Sequence, residues 1–268
     1  MGWIKLINLL NKHQKEGLYR NLIPPLLYHQ YGISPLDFYN DKGVREVRFF
    51  CPAGDNSCLV EIKLADIDDP VYSVQISDSI DPTMIEWEFL IVNDPSSLKF
   101  STDVDTDGKD TLFGWASRNL VEEEKALAAG YFPGQSRKGL SLTREASNAL
   151  NSFCRIFDIK SIRLEALFYH NAITYERLGY AYFDRYQQMK RIHELFQPGG
   201  ELYEKLDSSS PFRRPELARS VRGRSWAIHD GILDNLSDDL FEDGWISPVM
   251  YRMIENPRPM ITFPDPKY

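Results

Sequence analysis

The feature that most limits what this chain can fold into is a change in the spacing of its apolar residues. Between Val44 and Val92 they alternate with polar residues, as in strands that bury one face. Over Leu140–Phe157 they recur at steps of three and four, as on the buried side of a helix. Before this change the sequence predicts four strands, at Val44–Cys51, Cys58–Leu64, Val71–Ser77 and Ile85–Val92. Their short connections predict an antiparallel meander.

The last of these strands alternates most regularly. Its apolar residues fall on every second position and are predicted to share one face: Ile85, Trp87, Phe89 and Ile91. Glu86 and Glu88 then point to the opposite face. Acids that face solvent are common, so neither carboxylate is assigned a catalytic role.

Helices and strands alternate after the meander. Helices are predicted over Leu112–Ala129 and, with the clearest apolar stripe, over Leu140–Phe157. The elements predicted downstream are a strand at Ile162–Phe168, a helix at Ala172–Leu178 that Gly179 ends, a strand at Tyr180–Phe183 and a helix at Gln187–Phe196. This order of elements predicts an α/β (α+β) fold with a mixed, mostly antiparallel sheet flanked by helices.

The first residues predict an amphipathic helix docked on the core, because Trp3, Leu6, Ile7 and Leu10 recur at helical spacing with charged residues between them. This segment is not typical of a secretion signal. The Pro-rich residues 21–35 are predicted to be irregular. No apolar run in the sequence approaches the roughly 20 residues that span a bilayer, so a membrane is not an expected partner.

Charge and cysteine content limit the partners and the cellular compartment expected for this chain. The 268 residues carry a formal charge of −8, from 31 basic and 39 acidic side chains, which disfavours a duplex nucleic acid as partner. Three cysteines, Cys51, Cys58 and Cys154, form an odd and sparse set that fits a reducing compartment, here expected to be the cytoplasm. Cys51 and Cys58 flank a predicted hairpin turn at a spacing too wide for a zinc knuckle, and all three are interpreted as small apolar residues.

The segment with the chemistry of an anion site is SRKGLS, Ser136–Ser141, directly before the best-predicted helix. Gly139 lets the backbone approach a ligand, and the free N–H groups at a helix start carry partial positive charge. Arg137 and Lys138 add full charges. Many helices begin with a basic, Gly-containing turn and bind nothing, so this turn alone does not identify a ligand.

A second segment, NAITYERLGYAYF, follows that helix and one strand. With SRKGLS it resembles the GNAT superfamily of N-acetyltransferases, which has a pyrophosphate-binding turn, a helix, a strand, an Asn, a Tyr-Glu-x-Leu-Gly-Phe segment and a closing strand in this order. The closest match is YERLGY, Tyr175–Tyr180. Ser141 stands where the family has Gly or Ala. The resemblance spans about fifty residues, roughly Gln135–Phe183.

The resemblance implies roles for particular residues. Acetyl-CoA or another acyl-CoA would be the cosubstrate. Its pyrophosphate would be held by residues at the turn, with Asn171 also in the cofactor site: Arg137, Lys138, Gly139, Leu140 and Ser141. Tyr175 would be the general acid that protonates the departing thiolate, because a tyrosine with a pKa near ~10 can protonate a thiolate whose conjugate acid has a pKa of ~8.5. A core aromatic beside Leu178 is the alternative interpretation of Tyr175.

The same resemblance divides the chain into an N-terminal helical segment (1–43), an acetyltransferase-like domain (44–198) and a C-terminal extension (199–268). Acyl transfer to a small-molecule or peptide amine is the first functional hypothesis. A non-catalytic ligand-binding or interaction module with the same fold is the second. A metal-dependent enzyme built on His170 and His193, with Glu176 as a further ligand, is the third, although no metal is expected.

Two further patterns have competing interpretations. DVDTDG, Asp103–Gly108, begins like a calcium loop, but Gly114 stands where the bidentate Glu belongs, so a solvated acidic loop is favoured. In the C-terminal extension, five arginines between Pro211 and Trp226 precede an acidic run, Asp230–Trp245. Pairing between the two runs is favoured over binding of phosphate, an acidic partner or RNA.

Overall fold

A computed structural model describes residues 2–114, 116–234, 236 and 238–264. It confirms the predicted fold class, because seven strands form one mostly antiparallel sheet with helices beside it. The strands are β1 (Val47–Phe50), β2 (Ser57–Ile62), β3 (Tyr72–Asp78), β4 (Met84–Val92), β5 (Ser161–Glu165), β6 (Ala181–Tyr182) and β7 (Val249–Met253). Their order across the sheet is β1-β2-β3-β4-β5-β7-β6.

Nine α-helices lie in the described ranges. They are α1 (Trp3–Asn8), α2 (Lys12–Tyr19), α3 (Pro25–Gln30), α4 (Leu120–Ala128), α5 (Thr143–Ile156), α6 (Tyr169–Arg177), α7 (Tyr186–Leu195), α8 (Glu201–Glu204) and α9 (Val221–His229). None of these helices combines the length and the apolar character that crossing a bilayer requires.

Contacts between residues divide the chain into two compact units, each made of separate segments. The first unit contains Met1–Ser96, Gly139–Leu164 and Tyr251–Arg258. The second contains Ser97–Lys138, Glu165–Met250 and Pro259–Tyr268. These units cut across the predicted boundaries at residues 43 and 198.

The first unit is built on the predicted meander. β1, β2, β3 and β4 pair antiparallel in chain order, so each strand is confirmed to within a few residues. β2 alternates as expected, with Cys58, Val60 and Ile62 on its buried face. Asp78, at the end of β3, accepts the N–H groups of Ile4 and Lys5 at 2.8 and 2.9 Å and so caps α1.

The helices of the first unit pack by their aromatic residues. Tyr19 of α2 stacks on Phe153 of α5, with ring centroids 6.1 Å apart. The N-terminal region is not the single helix expected from its spacing. Asn11 interrupts it, because its side chain and that of Gln14 form a capping box that starts α2. The Pro-rich stretch is likewise not irregular throughout, since Pro25 occupies the first turn of α3, where a missing N–H has no cost.

The second unit has its own apolar core. Trp226 of α9 stacks on Phe212 at 5.2 Å, and its indole N–H donates to the Tyr131 carbonyl at 2.8 Å. Ala126 and Leu127 of α4 complete this cluster.

The predicted helix over Leu112–Ala129 is wrong in its first half. Leu112, Phe113 and Gly114 have φ values of 49°, 59° and 89°, and a right-handed helix cannot pass through three left-handed residues. α4 begins only after Asn119, whose side chain accepts the Glu122 N–H. Residue 115, within the same predicted helix, lies outside the described residues.

Candidate cofactor site

β4 differs from the other strands of the first unit in having neighbours of opposite direction. It pairs antiparallel with β3 and parallel with β5. The segment between the parallel strands contains α5, so β4, α5 and β5 form a β-α-β arrangement. In such arrangements, ligands commonly bind beyond the carboxyl ends of the strands.

A β-bulge interrupts β4 at Glu88. Gln75 lies opposite Phe89, whereas Ile76 lies opposite Trp87. Glu88 is therefore an extra residue that has no residue of β3 directly opposite it in the ladder. The Glu88 carboxylate accepts hydrogen bonds from the Gln75 amide at 2.6 Å and from the Ser77 hydroxyl at 2.5 Å. These bonds hold the bulged residue against β3.

The bulge corrects the predicted face of β4. Ile85 and Trp87 are buried as expected. Beyond the extra residue the alternation shifts, and Leu90, rather than Phe89, lies opposite the buried Val74. The assignment of Phe89 and Ile91 to the same face as Ile85 is therefore wrong, because an inserted residue reverses the side on which each later residue points.

Pairing between β4 and β5 is short. It covers three residues of β4 and ends where Glu86 lies opposite Arg163. The Arg163 guanidinium donates to both Glu86 carboxylate oxygens at 3.2 Å. Glu86 is thus an ion-paired residue, and β4 continues to Val92 without further ladder pairing to β5.

Main-chain groups of β4 therefore face an open stretch on the β5 side. The Asn93 N–H donates to the Val71 carbonyl on the β3 side. Since main-chain groups alternate in direction along a strand, those of Val92 and Leu90 point to the β5 side. The Val92 carbonyl accepts the Leu140 N–H at 3.2 Å, whereas Leu90 has no such ladder partner among the described residues of the first unit.

The predicted anion-binding turn returns to the end of β4. Gly139 forms an antiparallel bridge with Asn93, next to the bond between Leu140 and Val92. The 42 residues of Ser97–Lys138 are thus an insertion that leaves β4 and comes back to the same point. As a result, the turn directly joins the carboxyl end of β4 to α5.

The other half of the turn is held within the second unit. The Arg137 guanidinium donates to the Ser97 carbonyl at 2.8 Å, and the Lys138 N–H donates to the Ser97 hydroxyl at 3.1 Å. The Ser136 carbonyl accepts the Phe100 N–H at 2.9 Å. Lys138 is exposed and Arg137 is half-buried.

The start of α5 has two features that matter for an anion. The helix begins at Thr143, three residues later than predicted. The side chain of its N-cap residue, Leu142, makes no hydrogen bond to the first turn. Ser141 has a φ of 60°, in the left-handed region that Gly occupies most easily. First-turn N–H groups of this kind can receive phosphate oxygens.

A groove of about 560 Å³ lies beside α5 in the first unit. Its charged lining residues are Arg20 and Glu145, and Tyr28 and Leu26 supply apolar surface. One carboxylate oxygen of Glu145, Oε2, is buried without a hydrogen-bond partner in the described residues.

The remaining predicted site residues, Tyr175 and Asn171, lie on α6 in the second unit. Tyr175 is half-buried, and its ring lies 5.5 Å from that of Tyr180. The Asn171 side chain accepts the Phe168 N–H at 3.2 Å and so caps its own helix. Gly179 has a φ of 86°, which confirms its predicted position after the end of α6.

His170 is buried in an aromatic stack. Its ring lies 4.5 Å from Phe132 and 5.5 Å from Phe168. Burial lowers its pKa to about 3, so the ring is neutral at ordinary pH. The Asn171 amide nitrogen lies 3.3 Å from Nε2 and can donate to it, which leaves the proton on Nδ1, 2.9 Å from the Ser225 hydroxyl. In this tautomer Ser225 is the acceptor and is not activated as a nucleophile.

The other members of the hypothetical metal centre have different partners. His193 Nδ1 lies 3.1 Å from the Arg224 guanidinium. Glu176 accepts the Tyr182 hydroxyl at 2.6 Å and the Thr262 N–H at 3.0 Å. Within the described ranges, no three His, Cys, Asp or Glu side chains are arranged to hold a metal ion.

The acidic loop and the arginine run have local partners. Asp105 accepts the N–H groups of Asp107 and Lys109, both at 2.9 Å, so its carboxylate closes the turn. Of the arginine run, Arg213 pairs with Asp230 at 2.9 Å, as the predicted pairing between runs requires. Arg222 instead donates to the Gly130 carbonyl.

The sequence matches no protein-family model, and it matches neither a curated protein nor a solved structure. The chain is therefore assigned by its own contacts to the α+β class, with a candidate anion site at the start of α5. The bulge at Glu88 and the early end of the β4–β5 ladder have no signal in residue spacing, and they are the parts of the site that the sequence did not predict.

Proposed function

We propose that this protein is an acyl-CoA-dependent N-acyltransferase that transfers an acetyl or other acyl group to the amine of a small molecule or peptide. One observation carries the proposal. Ladder pairing between the parallel strands β4 and β5 ends at Glu86, and the turn that connects β4 to α5 lies at the far end of the stretch of β4 that follows. The order of turn, α5, β5, α6 and β6 agrees with the order of motifs in the GNAT superfamily.

The parts of an acyl-CoA suit the parts of this arrangement. The diphosphate would accept hydrogen bonds from the main-chain N–H groups of Gly139 and Ser141 and of the first turn of α5, with charge from Lys138 and Arg137, whereas the Leu140 N–H is already bonded to Val92. The amide-bearing arm that links the diphosphate to the sulfur would lie extended along β4. There it would pair with the main-chain groups of Leu90, as a peptide adds to the edge of a sheet.

The proposed reaction needs little more than positioning and proton transfer. The amine nitrogen attacks the thioester carbonyl carbon, forming a C–N bond and placing negative charge on the carbonyl oxygen. The C–S bond then breaks, and the thiolate takes a proton from the Tyr175 hydroxyl while the nitrogen loses a proton to water. A tyrosine, with a typical pKa of ~10, is a weaker acid than a thiol of pKa ~8.5, so this proton transfer runs uphill by about 2 kcal/mol and requires the hydroxyl to be held against the leaving sulfur.

A non-catalytic binding module is the second candidate, and one contact favours it. The Arg137 guanidinium already donates to the Ser97 carbonyl at 2.8 Å, so one of its hydrogen bonds is used within its own loop. In such a module the fold would remain while the turn had lost affinity for the diphosphate.

Thermal unfolding with and without acyl-CoA tests the proposal. A ligand at 100 times its Kd should stabilise the protein by about 2.7 kcal/mol. K138A should weaken binding by about 1.5–3 kcal/mol, because it removes a charged partner of a phosphate. The matched control is K160A, which removes another exposed lysine of the chain. Absence of stabilisation by any member of an acyl-CoA panel would contradict the proposal and favour the binding module.

Release of free CoA in the presence of a panel of amines tests catalysis. Y175F should bind acetyl-CoA as tightly as the wild type and should turn over about 10²–10⁴ times more slowly. Y180F, which removes the hydroxyl of the neighbouring ring, is the control. Equal rates for Y175F and the wild type would exclude Tyr175 as the general acid.

The three free cysteines, together with the described helices, fit the cytoplasm as the proposed location.

A further inference from the structure

Cys51 and Cys58 face each other across the β1–β2 hairpin. In this antiparallel pair, Val47 lies opposite Ile62 and Phe50 lies opposite Leu59. The same register, continued by one residue toward the turn, brings Cys51 opposite Cys58. The sequence separates the two cysteines by a turn, and only the register shows that they are direct neighbours.

The position within the ladder brings the two side chains close together. The Lys63 N–H donates to the Glu46 carbonyl, so those two residues form a hydrogen-bonded pair. Hydrogen-bonded and non-hydrogen-bonded pairs alternate along an antiparallel ladder, and Cys51 with Cys58 falls on a non-hydrogen-bonded position. At such positions Cα atoms are about 4.5 Å apart, which lies within the range of about 4.4–6.8 Å that a disulfide requires.

The two thiols already interact. Both cysteines are buried, and each thiol affects the pKa of the other. Interaction with Cys58 lowers the pKa of the Cys51 thiol, and the Lys15 ammonium contributes in the same direction. Burial raises the pKa of the Cys58 thiol. The nearby Lys15 ammonium favours Cys51 as the thiol of the pair that ionises first.

The groups that face the pair come from α1 and α2. The Lys15 ammonium donates to the Cys51 carbonyl at 2.5 Å. Glu16 is the nearby acid, and it is held by Arg45 at 2.9 Å. On α1, the Asn8 amide donates to the carbonyl of Asp55, in the turn between the two cysteines, at 2.9 Å. The hairpin end is thus fixed, with a cation near Cys51.

We propose that Cys51 and Cys58 are a redox-active dithiol that hydrogen peroxide converts to an intramolecular disulfide. The Cys51 thiolate attacks one peroxide oxygen, the O–O bond breaks, and the displaced hydroxide takes a proton to give water. The Cys58 sulfur then attacks the Cys51 sulfenic acid, the S–S bond forms, the S–O bond breaks, and the leaving hydroxide takes the Cys58 proton. The two sulfurs together lose two electrons, which reduce one molecule of hydrogen peroxide.

The third cysteine is an internal control. Cys154 is completely buried on α5, and burial raises the pKa of its thiol to about 12. A thiol in this state is a poor nucleophile, so Cys154 should react with peroxide more slowly than Cys51 by roughly tenfold or more.

Peptide mapping of the full chain tests the proposal. The reduced protein is treated with hydrogen peroxide under native conditions, unfolded in the presence of an alkylating reagent and digested. We expect a Cys51–Cys58 peptide that is lighter than its reduced form by about 2 Da, the two hydrogens lost on disulfide formation. Only Cys154 should then be alkylated, and a dithiol reductant should restore all three sites.

Cysteine variants test whether the disulfide is specific to Cys51 and Cys58 or results from general oxidation. C154S should form the same linked peptide as the wild type, whereas C51S and C58S should not form it. Because the mapping is done on the wild type, the result does not depend on whether C58S folds. The proposal is overturned if Cys51 is converted to sulfinic acid without a link, or if the link forms equally well after the protein has first been unfolded in denaturant.

Discussion

The two compact units bury different kinds of side chain. Within the described residues, the first unit buries apolar strand faces and one acidic residue as a whole, Glu46, whose carboxylate accepts from Asn40 at 2.8 Å. The second unit buries the carboxylates of Glu123 and Glu176 and the guanidinium of Arg224. A buried charge is tolerated only when it is paired or hydrogen-bonded, so the second unit depends on specific partners where the first depends on periodic burial.

The partners in the second unit come from distant parts of the chain. The Arg118 guanidinium contacts Glu123 and Asp230, and His229 Nε2 lies 3.2 Å from Glu123. Burial alone would raise the pKa of Glu123, but hydrogen bonds from His229 and Arg118 outweigh it and hold that pKa below its ordinary value. A local pattern can show which residues are apolar, but it cannot show which acid meets which base.

Arg224 shows the same dependence on distant residues. Its guanidinium lies 5.1 Å from the ring of Phe196 and 4.8 Å from that of Phe263. It also donates to the Ala218 carbonyl at 2.7 Å. The arginine run was interpreted from its charge, yet its most buried member is held by ring faces and a main-chain oxygen.

The largest effect expected from this difference follows from removing Trp226. W226A should destabilise the protein by about 3–5 kcal/mol, because it opens a cavity in the core of the second unit and leaves the Tyr131 carbonyl without its donor. The measurement is the free energy of unfolding from urea denaturation. W3A is the control in the first unit. Trp3 is 38% exposed, so its removal should lower the free energy of unfolding by about 1 kcal/mol or less.

Two transitions in the denaturation of W226A would sharpen the comparison, because the two units would then unfold separately. A loss for W226A no larger than that for W3A would contradict the description of Trp226 as the centre of the core in the second unit.

The sequence predicted most of the sheet because β1 to β5 are short, alternating and closely spaced. It missed β7, since Val249–Met253 lies far along the chain from the strands beside it in the sheet order, and local spacing carries no such information. It also extended α4 backward through Leu112–Gly114, because left-handed φ values at Leu112 and Phe113 follow from contacts and not from residue type.

The sequence predicted the residues of the candidate site but not the arrangement of the strands beside them. Gly139 and Ser141 were identified from a turn before an amphipathic helix, and both lie between β4 and α5. The bulge at Glu88 was not predicted, because a strand with an extra residue has the same composition as one without it. The point at which the β4–β5 ladder ends, Glu86, depends on pairing across about 75 residues of chain.

The second prediction concerns His170, whose pKa is lowered to about 3 by burial. The unfolded chain binds a proton on this ring below a pH of ~6.5, whereas the folded protein does not, so its contribution to stability falls as pH falls toward 3. Between pH 7.5 and 5.5 the wild type should lose about 1.4 kcal/mol more than H170F, because one extra proton is bound on unfolding. Denaturation curves at several pH values measure this difference.

The control for His170 is H13Q, which changes an exposed histidine of the first unit. Comparison with H13Q shows how much of the change in slope is specific to the buried ring. Since H170F keeps an aromatic ring between Phe132 and Phe168, an altered slope reports the proton rather than lost stacking. Equal slopes for H170F and the wild type would mean that the ring is not held neutral.

The smallest expected effect concerns two serines, one in each unit, whose replacement by Gly should change stability alike but acetyl-CoA binding differently. Ser141 in the first unit and Ser208 in the second have φ values of 60° and 63°, and both are exposed. A non-Gly residue in this region costs roughly 1 kcal/mol, part of which Gly recovers, so S141G and S208G should each stabilise the protein by up to about 1 kcal/mol. S209G, next to Ser208 but without a positive φ, should give no gain.

Acetyl-CoA binding then separates the two serines. If main-chain N–H groups at the start of α5 hold the diphosphate, S141G should change the Kd for acetyl-CoA, because Ser141 precedes the first turn of that helix. S208G lies on a different loop and should leave the Kd unchanged while giving the same gain in stability. Equal binding by both variants, with equal stability, would show that the left-handed residue shapes the chain at α5 without contributing to the anion site.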